Sequence, residues 1–410
     1  SNTTSTLSAS STFAAFRHRN YRLWFFGQVI SLVGTWMQNT AQGFLVYSLT
    51  GSPAYLGYVG FISGVPSWLF MLYGGFIADR IPRRTLIMIT QTIMMILAFV
   101  LAALVFTHIV QPWHILVLSF LLGTANAFET PARQSFVAEL VDRKDMTNAI
   151  ALNGTMFNLG LIVGPAVAGV VYALTGPAWC FTLNGISFIA VITALGLMKI
   201  DPQPVLDKAR SAGAAIREGF RFVRAEQLVA TLCISVLIYN VFTNGLITLL
   251  PAWSVKVLHG DVTTNGLLLS ARGVGAVIGG LVIATFASRG FRGRMWSINS
   301  FIMPAAIAAL SFSTWLPLSL VFLTVMGFNL ISIMNNSNAM VQSSIPDALR
   351  GRVMALYSLM FMGGGPIGAL LIGLLADRTS EQTAARVCAI ALALFSLWIH
   401  FFRPNVRKMK

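Results

Sequence analysis

Six polar side chains, Gln28, Ser31, Thr35, Gln38, Asn39 and Gln42, stand within one otherwise apolar stretch. On a helix turning 100° per residue they share one face, within an arc of about 100°. Amides and hydroxyls in that array suit hydrogen bonding to a solute or to neighbouring helices. Facing hydrocarbon they would be costly, so the stripe is expected to face water or a partner helix. Asn126, Tyr239, Asn240, Thr243, Asn244, Asn329 and Ser332 are further polar candidates inside apolar stretches. Arg272 is the one charged residue near the middle of such a stretch. A charge placed there is expensive without a partner and marks function by default. It either attracts an anionic group of a substrate, joins an internal ion pair, or reaches for the membrane surface. Trp36 and Trp68 offer aromatic faces, for packing or for a flat solute.

Catalysis has little to work with. The five histidines, His18, His108, His114, His259 and His400, show no metal-ligand pairing, so no metal is expected. Cys180, Cys233 and Cys388 are far apart and read as small buried residues. No G-x-x-x-x-G-K-[ST] phosphate loop is present, which speaks against an ATPase within this chain. A membrane enzyme acting on lipid is the alternative of a different class, and it would need converging His, Asp or Glu residues. Neither a catalytic residue nor a cofactor is expected.

Mean hydropathy is +0.75, with 56% hydrophobic and 10% charged residues. A soluble domain carries about a quarter charged residues, so water is not the main solvent. A spanning helix needs about 20 apolar residues. Twelve stretches reach that length, at 21–47, 54–77, 85–107, 113–137, 147–173, 178–198, 228–250, 262–288, 295–314, 316–341, 352–376 and 384–402. The expected class is an all-α integral membrane protein, twelve transmembrane helices in two six-helix halves. Barrel strands would be shorter and alternating.

The polar segment 199–227 divides the chain. There Ile216, Phe220 and Val223 interleave with Arg217, Arg221 and Arg224, the pattern of an amphipathic surface helix. The organisation is a tail at 1–20, a bundle at 21–198, a linker at 199–227, a bundle at 228–402 and a tail at 403–410. The first dozen residues lack a signal-peptide pattern. Net charge is +15, but 24 of the 28 basic residues fall in alternate gaps between the spans. The basicity therefore reports topology, not nucleic-acid binding, and puts both termini in the cytoplasm of an inner-membrane protein.

The halves repeat. Gly74-Gly75-Phe76-Ile77 matches Gly279-Gly280-Leu281-Val282, and Gly164-Pro165 matches Gly365-Pro366. Parallel six-span repeats of this kind place a substrate site between the halves.

Gly75-Phe76-Ile77-Ala78-Asp79-Arg80-Ile81-Pro82-Arg83-Arg84 resembles the major facilitator signature G-x-x-x-D-R-x-G-R-R/K, with Pro82 at the second glycine. The resemblance implies a latch built from Gly75, Asp79, Arg80, Arg83 and Arg84, with Glu129 as a candidate partner for Arg83. Gly160-x-x-x-Gly164-Pro165-x-x-Ala168-Gly169 is similar to the antiporter signature of exporting members. Small residues there permit tight packing, and Pro165 frees a backbone carbonyl. Glu129-Thr130-Pro131-Ala132-Arg133-Gln134 resembles the drug:proton antiporter branch that exports macrolides or siderophores such as enterobactin.

What the resemblance implies is a cavity lined by spans one, four, seven and ten. It also implies proton-driven export of a medium-sized amphiphile by alternating access, in a monomer whose partners are that small molecule and membrane lipid. Import or facilitated passage of a small polar solute is the alternative within the fold. Spans one and seven hold no acidic residue, and Asp79 and Glu129 are both expected at the cytoplasmic edge. The proton carrier is therefore left unassigned.

Overall fold

Apolar runs of this length fold as helices because a backbone in hydrocarbon must satisfy its own hydrogen bonds. Proline opens three of them, where its missing N–H is one of the orphan donors of a first turn. The computed structural model describes residues 13–199, 212–286 and 292–408, without the side chains of residues 71–79, 212–216, 286, 348 and 408. Gly75 and Asp79 fall among these, so the expected latch there lies outside the described residues.

The first half comprises α1 (Arg19–Thr50), α2 (Pro53–Arg80), α3 (Arg83–Phe106), α4 (Pro112–Leu140), α5 (Met146–Thr175) and α6 (Pro177–Leu197). A connector, α7 (Ala212–Ala225), leads to α8 (Gln227–Thr248) and its short continuation α9 (Leu250–Lys256). The second half continues through α10 (Val262–Phe286), α11 (Arg292–Phe312), α12 (Leu316–Ser343), α13 (Asp347–Arg378) and α14 (Glu381–Phe402). Twelve long helices thus form two halves of six. Ten of them are apolar and long enough to cross a membrane. Of the remaining two, α1 is diluted by its polar stripe, and the end of α2 lies outside the described side chains.

The repeat in the sequence is a repeat in packing. α10 lies on α12 as α2 lies on α4, α8 on α13 as α1 on α5, and α11 on α14 as α3 on α6. Between the halves, α2 packs on α13 and α5 on α10. Cys180, Cys233 and Cys388 are buried and unpaired.

The ends of the spans define a basic face, which carries the arginine-rich turns, and a far face opposite. Toward the far face the halves are knitted together. Ser52 Oγ donates to Asp377 Oδ1 at 2.5 Å, and the Ala54 N–H reaches the same oxygen at 3.4 Å. A carboxylate from α13 thereby caps the N-terminus of α2, where the helix dipole favours negative charge. Ser270 Oγ donates to the Ile162 carbonyl at 2.7 Å, joining α10 to α5. Lys256 pairs with Glu381 at 3.1 Å and lies over the Tyr47 ring at 5.9 Å. At Gly373 a Cβ would stand 2.8 Å from Gly57 Cα, so any larger residue would push α2 and α13 apart. Gly373-Leu374-Leu375-Ala376-Asp377-Arg378 also repeats the G-x-x-x-D-R pattern of Gly75 to Arg80 at the other end of the helix pair.

The connector corrects one expectation. α7 does more than lie on a bilayer: Glu218 pairs with Arg352 at 2.6 Å, and Gly219 abuts the Arg352 backbone. Val223 is buried while Phe220 stays exposed. On the same face, His18 Nε2 meets Asp145 Oδ2 at 2.9 Å, pinning the start of α1 to the start of α5. Asp142 brings a third ligand-type atom within 4.8 Å of these two, a grouping that sequence spacing did not show.

Asp377→Ala should loosen the far face. With spin labels on the far ends of α2 and α13, the population at longer distance should rise roughly fivefold, the equivalent of about 1 kcal/mol for one hydrogen bond to a charged group near the surface. An unchanged distance distribution would assign closure to helix packing alone.

Candidate functional site

The polar stripe of α1 faces two adjoining chambers. One, of about 180 Å³, lies inside the first half. Its wall takes Gln28, Ser31, Thr35, Gln38 and Asn39 from α1, Gln91 from α3, Asn126, Glu129 and Arg133 from α4, and Asn184 from α6. The other, of about 430 Å³, lies between the halves. Asn39 and Gln42 line it from α1, Ser119 from α4, Asn244 from α8, Asn265 and Arg272 from α10, and Pro366 from α13. Trp36, Asn39 and Leu122 line both and form the partition.

Solute-facing and helix-bonding roles are not exclusive for these residues. Gln38 Oε1 accepts from Asn184 Nδ2 at 2.7 Å, and Gln42 Nε2 donates to Ser119 Oγ at 2.8 Å, while both side chains line a chamber. Asn39 and Asn126 are exposed although both lie deep in their spans, so the chambers are open to solvent.

Five candidates line neither chamber. Tyr239 is fully buried, with its hydroxyl 3.0 Å from the Ser300 carbonyl and 2.7 Å from Ser396 Oγ. Asn240 donates to the Phe361 carbonyl of α13. α8 turns this face toward α11, α13 and α14 of its own half, which is why polar spacing misplaced it. Thr243, Asn329 and Ser332 are likewise buried in the second half, and Asn329 bonds back to the Val325 carbonyl at 2.7 Å. Asn244, one turn beyond Asn240, reaches the central chamber and accepts from Arg272 Nη2 at 3.1 Å.

The expected Arg83–Glu129 pair is not made. Arg83 binds Glu139 at 2.5 Å instead, and Arg84 donates to the Gly196 carbonyl at 3.0 Å. Arg80 is the exposed last residue of α2. Ten residues of helix, about 15 Å, separate Glu139 from Glu129. Glu129 therefore sits well inside the span, only 3% exposed. Its Oε1 accepts from Gln91 Nε2 at 2.8 Å, and its Oε2 has no partner. Gln91 Oε1 and Gln28 Nε2 are also buried and unpaired, so three open hydrogen-bonding positions surround this chamber. Arg133, one turn from Glu129, lines the same wall. In the sequence it stood as a basic residue of a gap and as part of the segment that resembles the exporting branch, without a place in the cavity; the i, i+4 spacing to Glu129 was the available signal.

Arg272 neither forms an ion pair among the described residues nor reaches the surface. It is half-buried in the central wall. Asn265, two turns earlier on the same helix face, was missed: it is 0% exposed, and neither amide atom has a partner. Its signal was the i, i+7 register with Arg272.

The glycine motif of α5 is a packing surface. A Cβ at Gly160 would come within 2.9 Å of Trp36, and Gly164 lets the Val33 carbonyl of α1 approach to 2.9 Å of that position. Gly169 meets Thr263 of α10 across the halves. Pro165 lacks an N–H, leaving the Leu161 carbonyl without its helical donor, and that oxygen faces Gly273 of α10.

A family model described as transmembrane secretion effector matches residues 10–410. The staphyloferrin A transporter of Staphylococcus aureus is 24% identical, over 95% of this chain and 97% of its own. The multidrug efflux pump Tap of Mycolicibacterium fortuitum is 25% identical, over 94% and 95% of the two chains. The enterobactin exporter EntS of Shigella boydii is 24% identical, over 96% and 94%. Among solved structures, a bacterial homolog of the human lysosomal transporter Spinster, inward-facing and unoccupied, superposes with TM-score 0.75 at 14% identity over 98% of both chains. An auto-inhibited POT family peptide transporter gives 0.74 at 12% identity, over 94% of this chain and 97% of its own. At such identities the likeness is one of fold. The sequence match runs through every span, and the chain therefore belongs to the transmembrane secretion effector family of the major facilitator superfamily, membrane transporters and not enzymes.

Proposed function

We propose that the protein exports a medium-sized amphiphilic compound from the cytoplasm in exchange for protons, by alternating access. The positive-inside rule, applied to the basic turns, supports a cytoplasmic basic face. The far face, knitted by Asp377 and Ser270, is then the outer one, and the chambers face inward. The efflux pump and the enterobactin exporter support the direction, and all three relatives support the class of compound.

The observation that carries proton coupling is Glu129. A carboxyl inside a span, facing a polar chamber, is placed to hold a proton. Gln91 fixes one oxygen, and the other is buried and unpaired, free to take a proton. Loading from the cytoplasm fills the chambers. Rocking about the α2–α13 and α5–α10 contacts then exposes them outward, where solute leaves and a proton returns on Glu129.

Everted vesicles test this with labelled dyes, macrolides, catecholate siderophores and sugars, each with and without a protonophore. Protonophore-sensitive accumulation of an amphiphile is expected. Accumulation indifferent to the protonophore would replace protons with another driving ion or with facilitation. Glu129→Gln should abolish uphill accumulation while sparing downhill flux. Uphill transport by a well-expressed Glu129→Gln protein would remove this residue as the carrier.

Gln38→Ala should reorder substrate preference, with KM changes of roughly fivefold, the worth of about one hydrogen bond. Identical kinetics across several substrates would leave Gln38 a helix tie to Asn184.

A further inference from the structure

We propose that the central chamber contains an anion subsite, in which Arg272 and Asn265 of α10 bind a carboxylate-type group on the amphiphilic substrate. The proposal rests on reading this chamber as the substrate site. Arg272 offers five N–H donors, and one bond is recorded, to Asn244 Oδ1 at 3.1 Å. Among the described residues no carboxylate lines the chamber. The nearest acidic residue along the chain, Asp261, is already engaged in capping α10 through the N–H groups of Thr263 and Thr264. A guanidinium in a membrane span without a counter-charge calls for one, and its planar fork fits a carboxylate bidentately.

Asn265 is the independent observation. Its side chain is 0% exposed, lines the same chamber, and leaves both Nδ2 and Oδ1 without a partner. Native proteins rarely leave a buried amide wholly unsatisfied, and a bound solute or water is one of the reasons that explain such a group. With Leu269 between them, Asn265 and Arg272 fall at i, i+4 and i+7 on one helix face. The walls from α2 and α4 are largely apolar, with Leu56, Val59 and Leu122 beside the two hydroxyls of Ser63 and Ser119. A ligand that satisfies both walls carries a negative head toward α10 and an apolar body toward α2 and α4. The same positive wall rejects cationic amphiphiles, so Arg272 selects among solutes by repulsion as well as attraction.

Soluble amphiphilic acids and anionic lipid headgroups share this chemistry, and binding to the full chain in nanodiscs separates them. In phosphatidylcholine discs, pyrenebutyrate should bind at least roughly tenfold tighter than its methyl ester or a pyrenylbutyl-trimethylammonium analogue. Arg272→Gln should erase that preference, Arg272→Lys should keep part of it, and Asn265→Leu should weaken the acid alone. Displacement of pyrenebutyrate by phosphatidylglycerol in the disc would identify the same subsite with a lipid headgroup. Retained binding in its presence would support a soluble acid. Equal binding of the three probes, no binding of the acid, or a preference surviving in Arg272→Gln would overturn the subsite. Binding is read without a gradient, so loss of the anion preference leaves proton-driven export standing. Failure of uphill transport would likewise leave the subsite intact.

Discussion

Hydrocarbon neither donates nor accepts hydrogen bonds, so every polar side chain within a span has to meet water or another polar group. The two halves meet this constraint differently. The second half buries its polar faces: Tyr239, Ser300 and Ser396 bond to one another, Trp296 Nε1 donates to Ser337 Oγ at 2.8 Å, and one continuous apolar core surrounds them. In the first half the apolar core is divided. One cluster gathers around Trp24 and Phe136 near the basic face, and another around Met37 and Phe181 near the far face. Between them runs a polar belt of Gln28, Gln38, Gln91, Glu129 and Asn184, and the smaller chamber is the space that belt encloses.

Closure of the far face follows from the same economy of small residues and satisfied termini. Ala252 of α9 is packed into the far-face cluster of the first half, so the two halves share apolar core at that end. At the N-terminus of α2, Asp377 accepts from both the Ser52 hydroxyl and the Ala54 N–H. The pattern that places it, glycine four residues before Asp-Arg, occurs at both ends of the α2–α13 pair. Each copy ends one helix beside the start of the other in a pseudo-symmetric bundle.

Much of this was legible in the sequence, and the failures share a cause. Helix count and the paired halves followed from apolar length and repeated glycines, because the membrane imposes both. The α1 stripe was found because 100° per residue converts spacing into a face. Spacing does not say which neighbour that face meets, so Tyr239, Asn329 and Ser332 read like Gln38 although they turn into their own half. Depth was the second blind spot. Span four was expected to end at residue 137, whereas α4 runs to Leu140 and ends with Glu139 on Arg83. That shift moves Glu129 from a surface latch to a chamber wall. Asn265 was passed over because one asparagine near a helix start looks like a turn residue, and only tertiary packing makes it a buried, unsatisfied amide.

The proposed exchange requires that solute and proton exclude each other. Charge alone would act the other way: an anionic head beside Arg272 adds negative charge to the cavity, which disfavours a second ionised group in the adjoining chamber. Exclusion has to come from contact. The two chambers meet at Trp36, Asn39 and Leu122, so a solute anchored on α10 and long enough to pass that partition enters the chamber whose wall holds the buried, unpaired oxygen of Glu129. A hydroxyl or amine at its leading end would bond to the ionised carboxylate and compete directly with a proton. A solute confined to the central chamber would bind Arg272 without touching Glu129 and would not be driven by the gradient. Molecular length, added to charge, then separates transported compounds from those that merely bind.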